Sequence, residues 1–318
     1  MTKTNKHLLT WLVLLMSCMP SFAQFPPAAG QDGSTAIHCD DDAFVGWAIG
    51  CVVERGPQQI DDTSLGVASF GTPEAALGKA DGTMSVVSLG DGGMATLTFA
   101  APICNGDGPD FAVFENGFDD NFLELAFVEV SSDGIHYFRF PSISLTPSNI
   151  QVGSFSSLDC TKIHNLAGKY RALYGTPFDL DDLDEDPLLD KMHITHVRVI
   201  DVIGCINPDY ATYDSQGNIV NDPWPTPFAS SGFDLDAVGV IHAATSQSTD
   251  DISTALTLFP NPCNENLYLS VALPYIVYDA KGNIIMRSEA TTHIDTRHLS
   301  PGLYLLKTSQ GCRSFIKQ

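Results

Sequence analysis

The sequence predicts an all-β protein: a jelly-roll β-sandwich followed by a small Ig-like β-sandwich. Three features carry that prediction. Short apolar runs alternate with period two, turns rich in Gly, Pro, Asp and Asn separate them, and helical periodicity is weak. A polar, pattern-free stretch at 244–255 reads as a linker between a strand-rich region, 24–243, and a shorter one, 256–318.

The elements follow in chain order. Lys3 and Lys6 precede an apolar run, Leu8 to Met16, that is too short to span a bilayer. With the small-x-small site Ser21-Phe22-Ala23, residues 1–23 read as a signal peptide. Leu15-Met16-Ser17-Cys18 competes as a lipidation site. No other stretch is apolar enough to cross a membrane, so the mature chain is expected to have no transmembrane segment. Thr72 to Lys79, with Pro73 in its first turn, predicts one short helix. Strands are predicted at Met94–Ala100, Asp110–Glu115, Leu125–Ser131, His193–Val202 and Asp234–His242. Ser132-Asp133-Gly134 turns Leu125–Ser131 into a hairpin with the run from His136 to Pro141. In the tail, Pro260 and Pro262 end a strand, Asp279 to Asn283 forms a turn, and Pro301-Gly302 opens a strand over Leu303–Lys307.

The chain has 318 residues, enough for two domains, and an apolar fraction of 44%, enough to build a core. Residues 24–256 carry 34 acidic and 8 basic side chains; residues 257–318 carry 4 and 6. An acidic working region repels phosphate backbones and argues against nucleic-acid binding. It suits cations, above all calcium outside the cell.

The chemistry-bearing segments are Gly106–Phe118, Phe178–Asp186 and Gly232–Val240. On a strand, Asp234 and Asp236 point to one face, and paired carboxylates repel unless a cation or donor lies between them. Glu115 and Asn116, at a glycine turn, are positioned to complete a calcium shell. Asp201 sits inside the apolar run Val197–Ile203; it faces solvent on an edge, or contacts Arg198 or a metal. The acidic run Asp179–Asp186 lacks the spacing of an EF-hand loop and reads as a solvated loop. Trp224 and Phe228, in a proline-rich loop, and Tyr174 are the candidate ligand-stacking aromatics for a glycan or small molecule.

Of eight cysteines, Cys18 leaves with the signal peptide, Cys39 and Cys51 are the nearest upstream pair, and Cys263 and Cys312 share the tail; both pairs are disulfide candidates in an exported chain. There is no C-x-x-C, no H-E-x-x-H and no G-x-S-x-G. His193 and His196 fall on opposite faces of a strand. A non-catalytic binding protein is therefore expected, with a surface hydrolase acting on glycans through two carboxylates as the rival.

Two resemblances add to this reading. Pro260-Asn261-Pro262, Tyr278-Asp279 with Gly282, Leu299, Gly302-Leu303-Tyr304 and the basic close at Lys317 make the last residues resemble a type IX secretion C-terminal sorting domain of the Bacteroidetes kind, type A. That resemblance implies handling of residues 256–318 by the type IX secretion machinery and a secreted or cell-surface location. The spacing between Leu269 and Tyr275 looks short for that family, as if one strand were trimmed. Upstream, GPDFAVFENGF, AGKYRALYGTPFDLDDL, THVRVIDVIG and SGFDLDAVGVIH occur in an order that resembles bacterial cell-surface proteins with a galactose-binding-like, discoidin-like jelly roll. That resemblance implies a binding module, often calcium-stabilised, and, for some relatives, ligand capture beside outer-membrane uptake systems such as those for corrinoids.

Overall fold

The computed structural model describes residues 24–244, 257–308 and 311–318, without the side chains of 311 and 312. The signal segment, with Cys18, and the linker beyond residue 244 lie outside the described residues. The chain divides into two compact units, Met1–Thr245 and Ser246–Gln318.

The large unit is a sandwich of two antiparallel sheets. The first contains β1 (Ile37–His38), β2 (Gly46–Trp47), β4 (Val87–Ser88), β6 (Phe111–Glu115), β11 (Tyr174–Phe178) and β13 (Asp234–Val240). The second contains β3 (Gly50–Glu54), β5 (Met94–Ile103), β7 (Ala126–Ser131), β8 (Phe138–Arg139) and β12 (Ile194–Asp201). A separate ribbon pairs β9 (Ile143–Ser144) with β10 (Ile163–His164). Successive long strands change sheet: β5 to β6 to β7, then β11 to β12 to β13. Across the sheets the order is β11-β6-β13-β2 and β5-β12-β7-β8, a jelly roll.

Local patterning explains each strand. In β5, Ala95 and Leu97 are fully buried while Met94, Thr96 and Thr98 are only partly covered. In β12, Val197 and Val199 are buried across from Leu97 and Ala95. β6 and β13 are buried along their whole length. Their inward residues Phe111, Val113, Leu235, Val238 and Val240 join the central core. Their outward residues Ala112, Phe114 and Ala237 are covered by Phe44, Trp47, Ala80 and Leu173. The N-terminal segment and the 80s loop therefore roof the first sheet, which is why its central strands are apolar on both faces. In the core Phe111 and Phe178 stack at 5.4 Å, and Phe140 meets Phe111 edge-on and Phe178 at a tilt. Each such ring contributes about 2–3 kcal/mol through burial.

The predicted helix at Thr72–Lys79 is instead a single 3-10 turn, Pro73–Ala76. Leu77, at φ −106° and ψ 142°, is already extended and ends it. Among the described residues every helical segment is of this short 3-10 kind.

The predicted Cys39–Cys51 bridge does not form; both thiols are free. Cys39 follows β1 and packs outside the first sheet, whereas Cys51 lies on β3 of the second and packs against the central core. Neighbours in sequence are thus separated by the sheet change.

The small unit is one curled, Ig-like antiparallel sheet of β14 (Leu258–Phe259), β15 (Asn266–Tyr278), β16 (Ile284–Asp295), β17 (Gly302–Thr308) and β18 (Gly311–Lys317). The short spacing between Leu269 and Tyr275 is accommodated by a continuous β15, whose register with β16 shifts between Tyr268 and Leu273. The sheet wraps around Cys263, Leu267, Val277, Ile294, Leu306 and Phe315. Asp279 accepts the amides of Lys281 and Asn283 and fixes the predicted turn. Cys263 is a free, buried thiol; the side chain of its expected partner Cys312 lies outside the described residues.

Buried carboxylates join the loops to the sandwich. Asp201, 1% exposed at the end of β12, accepts the amide of Phe233 at 2.7 Å and that of Gly92 at 2.9 Å. Asp110 likewise accepts the amides of Gly106 and Leu180, and Asp222 that of Leu125. Replacing Asp201 by Ala leaves two amides without their acceptor and is expected to cost about 2–4 kcal/mol, read by urea unfolding. A loss below about 0.5 kcal/mol would contradict this role.

Candidate functional site

A cleft of about 460 Å³ opens at one end of the jelly roll. Its walls are Phe70, Met84, Phe118, Phe122, Phe155 and Phe228, and its polar lining includes Asn116, Glu124, Thr226 and Asp234. Each comes from a place the fold dictates. β6 ends at Glu115, and the turn after it carries Asn116, Gly117 and Phe118 to the rim. β13 begins at Asp234 beside it. Before β7, Leu123 and Leu125 are fully buried and Glu124, between them, faces the cleft. Gly168, at φ +78°, packs against the Glu124 carbonyl; a Cβ there would lie 1.7 Å from that oxygen. Only glycine permits this approach, and it fixes the backbone that presents Glu124.

The aromatic wall is continuous. Ring centroids are 5.8 Å apart for Phe118–Phe122, 6.4 Å for Phe122–Phe155 and 5.9 Å for Phe155–Phe228. Phe118 and Phe155 are more than three-quarters exposed, at 76% and 78%. Large rings left in water at a cleft mark a surface with something to bind.

The floor is acidic. Glu115 is 1% exposed; one oxygen accepts the amide of Gly117 at 2.7 Å, and Oε1 has no partner. Burial, then the charge of Asp234, raises its carboxyl well above the usual range. Burial, then the charges of Glu115 and Asp234, does the same to Glu124. Asp234 accepts the Ser88 hydroxyl and feels Arg55, yet burial still pushes it up to about 6. The Arg55 guanidinium itself is committed to the carbonyls of Phe70, Ser88 and Gly71.

The structure brings together Glu115, Asn116 and Asp234, with Phe228 on the wall, and separates the other expected site residues. Asp236 accepts the amide of Gly82 at 3.1 Å and is absent from the cleft lining. Asp234 and Asp236 flank the inward Leu235 but take different partners, the Ser88 hydroxyl and the Gly82 amide. Asp201 is not on an edge, since β12 runs between β5 and β7; both its oxygens take backbone amides, and Arg198 pairs with Glu129 instead. Trp224 donates its indole N–H to Asp91 at 3.1 Å and acts as a loop anchor. Tyr174 lies against His38 and under the Arg171 guanidinium, also away from the cleft lining.

Of the five expected calcium ligands, Glu115, Asn116 and Asp234 lie together, while Asp236 takes the amide of Gly82 and Asp201 those of Gly92 and Phe233. Among the described residues no three Asp or Glu carboxylates bring ligand oxygens within 4.8 Å of one another. The one group of three that meets that distance is His38, Cys39 and Asp40, and Asp40 is already paired with Lys79. The run at Asp179–Asp186 is taken up in turns: Asp179 caps a 3-10 segment, Asp181 and Asp182 accept Asn105 and Asn165, and Glu185 pairs with Lys191.

Glu124, Phe118, Phe122 and Phe155 are the residues that reading the sequence missed. The signal for Glu124 was present, since Leu123-Glu124-Leu125 alternates like a strand entering β7. Phe155 carried no such signal, because it stands in an irregular loop and meets Phe228 only through the fold.

Residues 257–318, the small unit's sheet, match the family model described as the secretion system C-terminal sorting domain. No curated protein matches the chain. The sorting tail marks a protein exported by type IX secretion and secreted or held at the cell surface. No helix among the described residues is long and apolar enough to cross a membrane.

The buried carboxyls set a pH dependence. Burial places Asp91, Asp234 and Asp236 at about 6, against an ordinary value of 3.8. Their protons are held more tightly in the folded state, so stability present below pH 4 is lost as pH rises through 6. His164, pushed down by burial, opposes this alone, while Asp133 and Asp214 are pulled down and act only in stronger acid. The three carboxyls win at roughly 1 kcal/mol each between pH 7 and pH 5. The large unit should melt about 5–10 °C higher at pH 5 than at pH 7 by calorimetry; equal or lower melting at pH 5 would contradict the burial of these groups.

Proposed function

We propose that this chain is an exported, non-catalytic binding protein whose jelly-roll unit seats a small ligand or a glycan end group in the aromatic-walled cleft. The continuous run of Phe118, Phe122, Phe155 and Phe228 carries this reading. Flat rings exposed along a pocket offer stacking area at low entropic cost, and the pocket is large enough for a small molecule or one or two sugar rings. The sorting tail supports the setting, because it delivers the cleft to the medium or the cell surface. The resemblance of the large unit to galactose-binding-like surface modules points the same way.

Hydrolysis by two of the cleft acids is the rival reading. A glycosidase pairs a protonated acid with an ionised base or nucleophile. Here Glu115 and Glu124 are raised by burial and neighbouring charge, and Asp234 is raised to about 6 by burial, so release of product from a bound glycan is the observation that separates the two readings.

A glycan and small-molecule array on the whole protein tests the reading. Phe155→Ala and Phe228→Ala should each weaken a captured ligand about tenfold while leaving the melting temperature within about 2 °C. Release of product from any array ligand would overturn it. Deleting residues 257–318 should leave the chain inside the cell envelope and remove it from surface and medium fractions on an immunoblot; normal surface display without the tail would contradict its sorting role.

A further inference from the structure

The cleft combines two features that single out one ligand chemistry. Its wall is a chain of phenylalanine faces, and its floor gathers three acids with few donors from the protein. Glu124 lines the cleft and has no hydrogen bond or ion pair among the described residues. Asp234 beside it has one neutral donor, the Ser88 hydroxyl. Glu115 lies beneath the turn that lines the cleft, 1% exposed, with Oε1 unpartnered. A buried acceptor without a donor is costly, and a buried carboxylate without a counter-charge costs more. Arg55 acts on Asp234 but spends its own donors on three carbonyls.

Three acids facing one committed guanidinium call for a positive group from outside. A bare metal ion would need several oxygens converging at one point, and no three carboxylates here do so. A neutral sugar would supply hydroxyl donors but no counter-charge for the three acids. An organic cation answers both features, since its charge meets the carboxylates while ring faces attract cationic and apolar surface alike.

We infer that the cleft takes an organic cation: a small amine or quaternary ammonium whose charge sits at Glu124 and Asp234 above Glu115, and whose apolar body lies along Phe118, Phe122, Phe155 and Phe228. This rests on the cleft being the ligand site. The charge of the ligand brings the floor acids into their ionised form, and the protons they release pass to solvent through the open mouth of the cleft.

A matched pair of probes tests it on the whole protein at pH 7. Titration calorimetry compares 2-phenylethylammonium with 2-phenylethanol, which differ in the charged group. The ammonium should bind at least about tenfold more tightly. Glu124→Gln should erase that preference and leave the alcohol unchanged; Phe155→Ala should weaken both. The comparison on the unaltered protein stands even if a variant fails to fold. Equal binding of the two probes, no binding of the ammonium up to about 10 mM, or displacement of the ammonium by calcium chloride would each overturn the inference. A neutral array ligand that needs Phe155 and Phe228 but not Glu124 would overturn the charge assignment and leave the cleft reading intact. A ligand indifferent to both phenylalanines would remove the cleft reading itself.

Discussion

The jelly roll depends on carboxylates that stand in for backbone partners. Where β12 ends, Asp201 holds the turn at Gly92 and the entry to β13 with its two oxygens. Asp110 does the same for the loops at Gly106 and Leu180, and Asp214 accepts the amide of Ser144. A sandwich built from short strands and irregular loops leaves many amides outside any ladder. Each needs an acceptor when buried. A short aspartate reaches two at once, and this is a large part of why the upstream region is so acidic.

That structural use of acids brings the remaining ones into focus. The carboxylates of Asp201, Asp110 and Asp214 are satisfied by the fold. Glu115 is satisfied at one oxygen only, and Glu124 has no donor among the described residues. The same region therefore contains acids that complete the protein and acids that the protein does not complete. The second kind gathers where β6 ends, β13 begins and the segment before β7 passes, and there the phenylalanines are also left in water. Polar satisfaction and apolar burial both fail at one place, which is the physical signature of a ligand site.

Much of the strand pattern was legible because it needs only period two. Met94–Ala100 and His193–Val202 lie within two or three residues of the observed β5 and β12, and Asp110–Glu115 nearly coincides with β6. The short helix failed because the chain turns extended at Leu77 after one turn. Asp234 and Asp236 share a face as alternation implies, but Ser88 and Gly82 claim them separately, and nothing local in the sequence shows this. Asp201 was read as an exposed or metal-bound acid because nothing local shows that Gly92 and Phe233 will be delivered to it from other parts of the chain. Trp224 was read as a stacking residue, but its N–H is claimed by Asp91, which lies far away in sequence.

By itself the sequence determined the all-β class, the strand and turn positions and the sorting character of residues 257–318. These rest on periodicity, on turn residues and on a motif order confined to neighbouring residues. Tertiary structure decided which acids are spent on backbone amides and which are left over. It decided that Cys39 and Cys51 part company on different sheets, and that Phe118, Phe122, Phe155 and Phe228 form one wall. Such outcomes depend on partners distant in the chain. A residue's type states what bonds it can make, but the crossing of strands between two sheets settles which of them are already made.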